Sequence, residues 1–327
     1  MTFKKFDTSR LKTKPLSERI HDVDLLKVLV PVDDSPAPLQ NAKIDAVAEA
    51  MVQAKKNNAA SMLMYGGHVI RTGCSLYMIE LMKKGLVNHF ATNGSGSIHD
   101  FEFSLIGQSC ESVAKYVSEG QFGLWHETGL INDILRDGIK DGLGAGEAIG
   151  RYIWENDLPY KQYSVLGNAY HLGIPCTVHI GIGSDIIHEH NNANGAVLGE
   201  ASYIDFLIYA QTITKLEGGL FLNFGSAVTG PEVYLKALAM ARNVAHQEGK
   251  KITHFTTAVF DIHEIPDVGH DLTPPKSDVR YYFRPWKTIL ARTVADGGNS
   301  YYIQGLHNQT LPSLAKRAID LEIKTRM

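Results

Sequence analysis

At 327 residues the chain is long enough for two average domains or one large α/β domain, and its 44% apolar and 20% charged residues are the balance of a globular protein with a sizeable core. A net charge of −3 gives no electrostatic reason to expect nucleic acid or an anionic membrane surface as partner. No apolar run approaches the roughly 20 residues of a membrane span, the N-terminus lacks a secretory pattern, and the three cysteines form no CxxC pair, so free thiols and a cytoplasmic location are expected.

Residues 1–38 open with a basic stretch, Lys4, Lys5, Arg10, Lys12 and Lys14, and read as a solvated arm that packs on a neighbouring subunit. Residues 39–327 then alternate between helix and strand patterns. Leu39–Lys56 has the spacing of an amphipathic helix, and Ala60–Tyr65 is a short apolar run stopped by Gly66-Gly67, as a buried strand is. Thr72 is placed to cap a helix that Gly85 ends, and Leu86–Ala91 reads as the next strand. The stretch 110–154 reads as a helical insertion. Helices are expected over Gln162–Leu172, Leu198–Leu216 and from Pro231 to Gln247, with strands at Ile174–Ile180, Gly219–Asn223 and Ile252–Val259. Asp261–Arg280 reads as a long loop, followed by a short strand, Tyr301–Gln304, and a helix, Leu311–Ile323. Strands alternating with helices predict a single α/β domain with a doubly wound, mostly parallel sheet and helices on both faces.

In such sheets ligands bind where strands end and helices begin. Three glycine-bearing turns fall there: Tyr65-Gly66-Gly67-His68, Thr92-Asn93-Gly94-Ser95-Gly96 and Asn223-Phe224-Gly225-Ser226-Ala227. Glycine admits a close backbone approach, and free N–H groups at a helix start attract phosphate. None is the GxGxxG fingerprint, but three such turns after apolar strands point to a nucleotide site.

The stretch Met62–Glu102 resembles the core of the deoxyhypusine synthase family, closest to its bacterial synthase-like members. Gly66-Gly67-His68 stand where that family has Thr-Ser-Asn, Thr92-Asn93-Gly94 where it has Thr-Ala-Gly, and His99-Asp100 where it has an acidic pair. Gly183-Ser184-Asp185-Ile186-Ile187 is similar to its Leu-Gly-Asp-Met-Ile segment, Leu222–Val228 to its triple-glycine turn, and Phe255-Thr256-Thr257-Ala258 to its Asn-Thr-Ala-Gln segment. The resemblance implies NAD as cofactor, held by Gly66, Gly67, His68, Thr92, Asn93, Gly94, Asp100, Gly225, Ser226, Thr257 and Ala258, and a homotetramer. It also implies transfer of an aminoalkyl group from a polyamine such as spermidine to an acceptor amine through a lysine imine. Asp185 and Glu232 would then hold cationic nitrogens, Trp286 would stack on the alkyl chain and Lys287 would carry the imine. A neutral lysine is needed for that step, and burial favours it.

The chain departs from the family where the chemistry is concentrated. Trp286 and Lys287 are adjacent where the family has Trp-Gly-Lys, Thr229–Glu232 replace its histidine, and Gln304-Gly305-Leu306-His307 lack the aspartate of its Ala-Asp-Ala turn. Two alternatives to a transferase acting on a polyamine or a related guanidino-amine follow: an NAD-dependent oxidoreductase or lyase on another amine, or a regulatory protein that binds NAD or a polyamine without turnover. His179, His188 and His190, with Asp185 and Glu189, are the richest local set of metal-ligand types, yet their spacing is no zinc signature and no metal is expected.

Overall fold

Six short apolar runs become six strands in the computed structural model, which describes residues 3–32, 37–266 and 273–326. They are β1 Ser61–Tyr65, β2 His89–Asn93, β3 Cys176–His179, β4 Leu220–Phe224, β5 Thr256–Asp261 and β6 Asn299–Gln304. They form one sheet in the order β3-β2-β1-β4-β5-β6, and every neighbouring pair is parallel. β1 and β4 are buried along their whole length, as strands covered on both faces must be. Alternate residues go to opposite sides. Leu63 and Tyr65 join a core with Ile44, Met51 and Leu314, while Met62 and Met64 join a second with Tyr209, Tyr234 and Leu290. Two cores on two faces make the sheet doubly wound.

Besides one turn of helix at Leu25–Val28, the α-helices among the described residues are α1 Ala42–Lys56, α2 Gly67–Arg71, α3 Ser75–Lys83, α4 Gly94–Ile106, α5 Val113–Ser118, α6 His126–Lys140, α7 Ala145–Glu155, α8 Val165–Leu172, α9 Gly195–Ile213, α10 Thr229–Gln247 and α11 His307–Arg326. The stretch 110–154 is mostly helical, as α5 to α7. Among the described residues no helix is long and apolar enough to cross a membrane.

Several boundaries move for identifiable reasons. β2 starts at His89, three residues later than its apolar pattern, because the Asn88 side chain takes over the start of the ladder: its Oδ1 accepts from Ser61 N–H at 2.9 Å and its Nδ2 donates to the Ala59 carbonyl at 2.9 Å. Thr72 does not cap α3. It follows α2, with Oγ1 donating to the His68 and Val69 carbonyls, both at 3.1 Å. Pro285–Arg292, for which no element was expected, forms a π-helical segment. Of the expected loop 261–280, residues 267–272 lie outside the described residues.

The N-terminal segment is not a solvated arm from Lys14 onward. Lys14 N–H donates to the Leu124 carbonyl, Leu16 is buried against Tyr116 and Trp125, and Val23–Asp24 pairs antiparallel with Gln108–Ser109. It docks on the helical insertion of its own chain.

Candidate functional site

The chain leaves β1 towards β2 and leaves β4 towards β5, in opposite directions along the sheet, so a crevice is expected between the tips of these two neighbours. The first and third glycine turns meet there. Gly66 N–H donates to the Phe224 carbonyl at 3.0 Å, and a Cβ on Gly66 would lie 2.6 Å from the Gly225 carbonyl oxygen. The two turns touch backbone to backbone, which only glycine allows. α2, five residues long, opens at Gly67 directly behind the turn, and the Val69 N–H donates back to the Gly66 carbonyl at 3.0 Å. Gly225 has φ +58°, and a Cβ there would meet His307 Nε2 at 2.5 Å.

His307 begins α11 and is a site residue that the sequence did not single out. It is 3% exposed, its buried Nδ1 has no partner, and burial pushes it down to about 4, so it is a neutral imidazole. The His68 ring meets it edge-on, with centroids 5.9 Å apart. The only forewarning lay in Gln304-Gly305-Leu306-His307, a turn after an apolar strand.

The second turn lies beside the first. Thr92 Oγ1 donates to the Tyr65 carbonyl at 2.9 Å and ties the tip of β2 to that of β1, while Asn93 Oδ1 accepts from Gly96 N–H at 3.0 Å and caps α4. Ser226 Oγ does the same for α10, accepting from Gly230 N–H at 2.9 Å. Three expected cofactor residues stand elsewhere. Asp100 is buried and its carboxylate accepts from Ser164 Oγ, Val165 N–H and Leu166 N–H at 2.5, 2.8 and 3.0 Å, so it caps α8. Thr257 and Ala258 lie near the start of β5, where Thr257 Oγ1 donates to the Ile289 carbonyl at 3.1 Å. Asp261 is the β5 residue at the ligand-facing rim.

A cavity of 270 Å³ opens next to the β1 and β2 tips, lined by Arg71, Ser95, His99, Glu102, Cys110 and Asp185 among others. Below it Arg19, from the N-terminal segment, forms a bidentate pair with Glu102 at 2.8 and 2.7 Å. Burial alone would raise the Glu102 carboxyl, but this pairing, with hydrogen bonds from Thr128 and Ser109, outweighs it and holds the group below the ordinary value. The ionised carboxylate fixes what lies beyond. Ser109 Oγ spends its proton on Glu102 Oε2 at 2.7 Å, so it can only accept from His99 Nδ1 at 2.8 Å. His99, which burial pushes down to about 4, is therefore a neutral imidazole protonated at Nδ1, with an acceptor lone pair at Nε2. Gly67 packs on this ring: a Cβ there would lie 3.1 Å from His99 Cδ2. Cys110 on the same wall has φ +67°, a strained conformation for a non-glycine residue that recurs at functional sites.

Asp185 combines a capping and a cavity role. It precedes the turn Ile186–Glu189, and its N–H donates to His188 Nδ1 at 3.1 Å. Its carboxylate reaches the tip of β2, where a Cβ on Gly94 would lie 2.1 Å from Oδ2, and burial pushes it up to about 6.

The structure does not bring the expected substrate residues together. Asp185 follows β3, whereas Glu232 stands in the first turn of α10 and Trp286 and Lys287 lie on the segment between β5 and β6. β3 and β5 are four strand positions apart, roughly 19 Å at about 4.8 Å per strand. Glu232 is ion-paired with Lys236 and, at 3.3 Å, with Arg284. Trp286 is 4% exposed within the core rather than presented to a ligand. Lys287 is 6% exposed, with Nζ 3.6 Å from the centroid of the Tyr281 ring and no carboxylate partner among the described residues. The histidines of the possible metal set disperse. His179 Nε2 meets Thr177 Oγ1 at 3.1 Å, His188 Nδ1 accepts from two backbone N–H groups, and His190 Nε2 donates to the Gly123 carbonyl at 2.8 Å. Among the described residues no group of three or more potential ligands is arranged to hold a metal ion.

The strand order, the parallel register and glycine turns meeting at the switch point define a Rossmann-like α/β fold. Residues 45–149, about a third of the chain, match the family described as arginine dihydrolase ArgZ-like, C-terminal, Rossmann fold. The structure is similar to that of ArgZ, an arginine dihydrolase from the ornithine–ammonia cycle in Cyanobacteria, with a TM-score of 0.51 and 14% identity over 88% of this chain and 34% of that one. It is similar to AgrE in a ternary complex with ornithine and NAD⁺, with a TM-score of 0.51 and 14% identity over 89% of this chain and 35% of that one. The chain thus spans about a third of the length of these neighbours, and at such identities the likeness is one of fold. A putative deoxyhypusine synthase from Entamoeba histolytica aligns with a TM-score of 0.45 and 10% identity over 87% of this chain and 89% of that one. No curated protein sequence matches the chain. The resemblance to deoxyhypusine synthases therefore rests on the motifs.

Proposed function

We propose that the protein is an NAD-dependent enzyme that oxidises the carbon–nitrogen bond of a small cationic amine. The observation that carries this reading is the contact of the Gly66 and Gly225 turns at the switch point of a β3-β2-β1-β4-β5-β6 sheet. This backbone cradle would be filled by any side chain, and it lies where such sheets hold a pyrophosphate. NAD, when bound, would supply the hydride acceptor. Gly66, Gly67 and His68 would hold its phosphates, and the tips of β4 to β6 would face the reacting end. There His307 offers an uncharged imidazole at the start of α11, buried enough to exclude water and suited to accept a hydrogen bond from an amine N–H. The ternary complex of AgrE with ornithine and NAD⁺ is the ligand chemistry that supports an amine substrate.

Calorimetry with NAD, followed by NADH formation with ornithine, arginine and spermidine, tests the reading. NAD binding in the micromolar range with reduction by one of these amines is expected. A wild-type protein that does not bind NAD sinks it.

A buried lysine without a carboxylate partner favours a second, narrower reading, transfer of the oxidised group through Lys287. Incubation with NAD and spermidine, then borohydride, should leave an adduct on Lys287 that Lys287→Ala lacks while still binding NAD. Full activity of Lys287→Ala removes the transferase reading and leaves the oxidoreductase one.

A further inference from the structure

Dinucleotide-binding sheets of this strand order end β2 in an acidic residue about 20 residues beyond the first glycine turn, which receives the hydroxyls of the adenosine ribose. β2 here ends in Asn93, whose Oδ1 is already occupied in capping α4. A carboxylate nevertheless stands at this tip. It belongs to Asp185 and arrives from the loop after β3 to lie against Gly94, closely enough that a Cβ on Gly94 would fall 2.1 Å from Oδ2. We infer that Asp185 is the ribose-binding carboxylate of this chain, supplied from a different strand, and that the cavity around it selects a dinucleotide with a free 2′-hydroxyl over one with a 2′-phosphate. The inference rests on the NAD-dependent reading above and adds a residue and a cofactor preference to it.

The lining suits a diol. Hydroxyl groups need acceptors, and the cavity offers the Asp185 carboxylate and the Nε2 lone pair of His99, whose tautomer is fixed by Glu102 through Ser109. Ser95, at the start of α4, lies between the cavity and the first glycine turn: a Cβ on Gly67 would fall 2.4 Å from its Oγ. Ser95 therefore places the cavity next to the turn where the phosphates would lie. Its charge opposes a 2′-phosphate. Arg19 is consumed by Glu102, which leaves Asp22, Glu111 and Asp185 against Arg71 alone. A phosphate dianion placed among three carboxylates and one arginine is repelled at short range in a partly buried site.

Asp185 was expected on the sequence to hold a substrate ammonium. Its separation from Glu232 by three strand positions and from Lys287 by four, at the β2–β3 end of the crevice, favours the adenosine half instead.

The test measures dissociation constants by calorimetry for NAD, NADP and ADP-ribose on wild type, Asp185→Asn and Asp185→Ala, with melting temperatures alongside. Wild type should bind NAD at least about a hundredfold more tightly than NADP. Loss of hydrogen bonds to a charged acceptor should weaken NAD about 10- to 100-fold in both variants. ADP-ribose, which keeps the adenosine end, should weaken by the same factor, and the preference over NADP should shrink to within about tenfold. Melting temperatures should not fall in Asp185→Asn, because a carboxylate raised by burial is not stabilising in its ionised form. NAD binding that is indifferent to both substitutions, wild type that binds NADP as tightly as NAD, or losses for NAD that ADP-ribose does not share would overturn the inference while leaving the oxidoreductase reading intact. Failure of wild type to bind any dinucleotide would remove both.

Discussion

One glycine and one buried ion pair decide whether the site exists, and they fail in different ways. Gly66 has no room for even a methyl group, since its nearest neighbour would be a backbone carbonyl that no rotamer change can move. Gly66→Ala must push the β1 and β4 turns apart, at about 1–3 kcal/mol by comparison with overpacked cores. Chemical denaturation should show that loss, and calorimetry should show NAD binding abolished. The Arg19–Glu102 pair lies in the cavity wall itself. Both side chains are 1% exposed, so removing one partner strands a buried charge. Arg19→Met should cost about 3–5 kcal/mol. The pH dependence has a definite sign: Glu102 is depressed below its unfolded value, so its contribution is present above about pH 4.5 and is lost as pH falls through the lower folded value. In urea titrations Arg19→Met should lose most of that acid dependence. An unchanged acid limb would show that Glu102 is not the group responsible. His99 should then lose its single tautomer as well, which nitrogen NMR of the labelled imidazole would show as averaged ring shifts.

Among the elements, the alternation of strand and helix was readable because each buried strand is a short apolar run stopped by glycine, and the three glycine turns did fall on the rim. What could not be read was which face of a helix looks inward. α4 turns by about 100° per residue. Ser95, His99 and Glu102, spaced four and three apart, therefore line the cavity together, while Asp100, one position beyond His99, is carried round to α8. Adjacency to a glycine turn suggested a cofactor role, and helical phase assigned a cap. Asp100→Ala should cost about 1–2 kcal/mol by uncapping α8, and Asp100→Asn less, since the amide oxygen still accepts. Burial raises the Asp100 carboxyl to about 6, above its unfolded value, so its contribution is greatest below about pH 3.8 and declines as pH rises through 6. Asp100→Asn should therefore flatten stability over that window. NAD affinity should stay at the wild-type value in both variants, and a tenfold loss would return Asp100 to the site. The surroundings of Lys287 were equally unreadable: Pro285–Arg292 is π-helical, and the lysine Nζ sits over the Tyr281 ring.

For the whole molecule, the sheet order separates two chemically different ends. β2 and β3 carry the charged cavity at one end, and β4 to β6 carry His307 and Lys287 at the other. Neither end explains the outer surface over α9 and α10. Tyr203 and Leu207 stand four residues apart on α9 and are 60% and 43% exposed, and Met240 and Val244 repeat that spacing on α10 at 42% and 52%. Residues four apart share one helix face, and α9 and α10 pack side by side, so the four side chains form outward stripes on adjacent helices. Contiguous exposed apolar surface on a globular protein marks an association site more often than chance. We propose that a second copy of the chain covers this surface. Sedimentation or light scattering of wild type at micromolar concentration should show a dimer or tetramer. Leu207→Glu combined with Val244→Glu should reduce it to monomer, because a symmetric contact would place each new carboxylate against the partner's apolar stripe. Both residues are solvent-facing, so the melting temperature of the substituted monomer should fall only by what association contributed, and NAD affinity should be unaffected because the glycine turns lie within one chain. Wild type that is monomeric at these concentrations would leave the patch without a self-association role. An oligomer that survives both substitutions would place the interface elsewhere on the molecule.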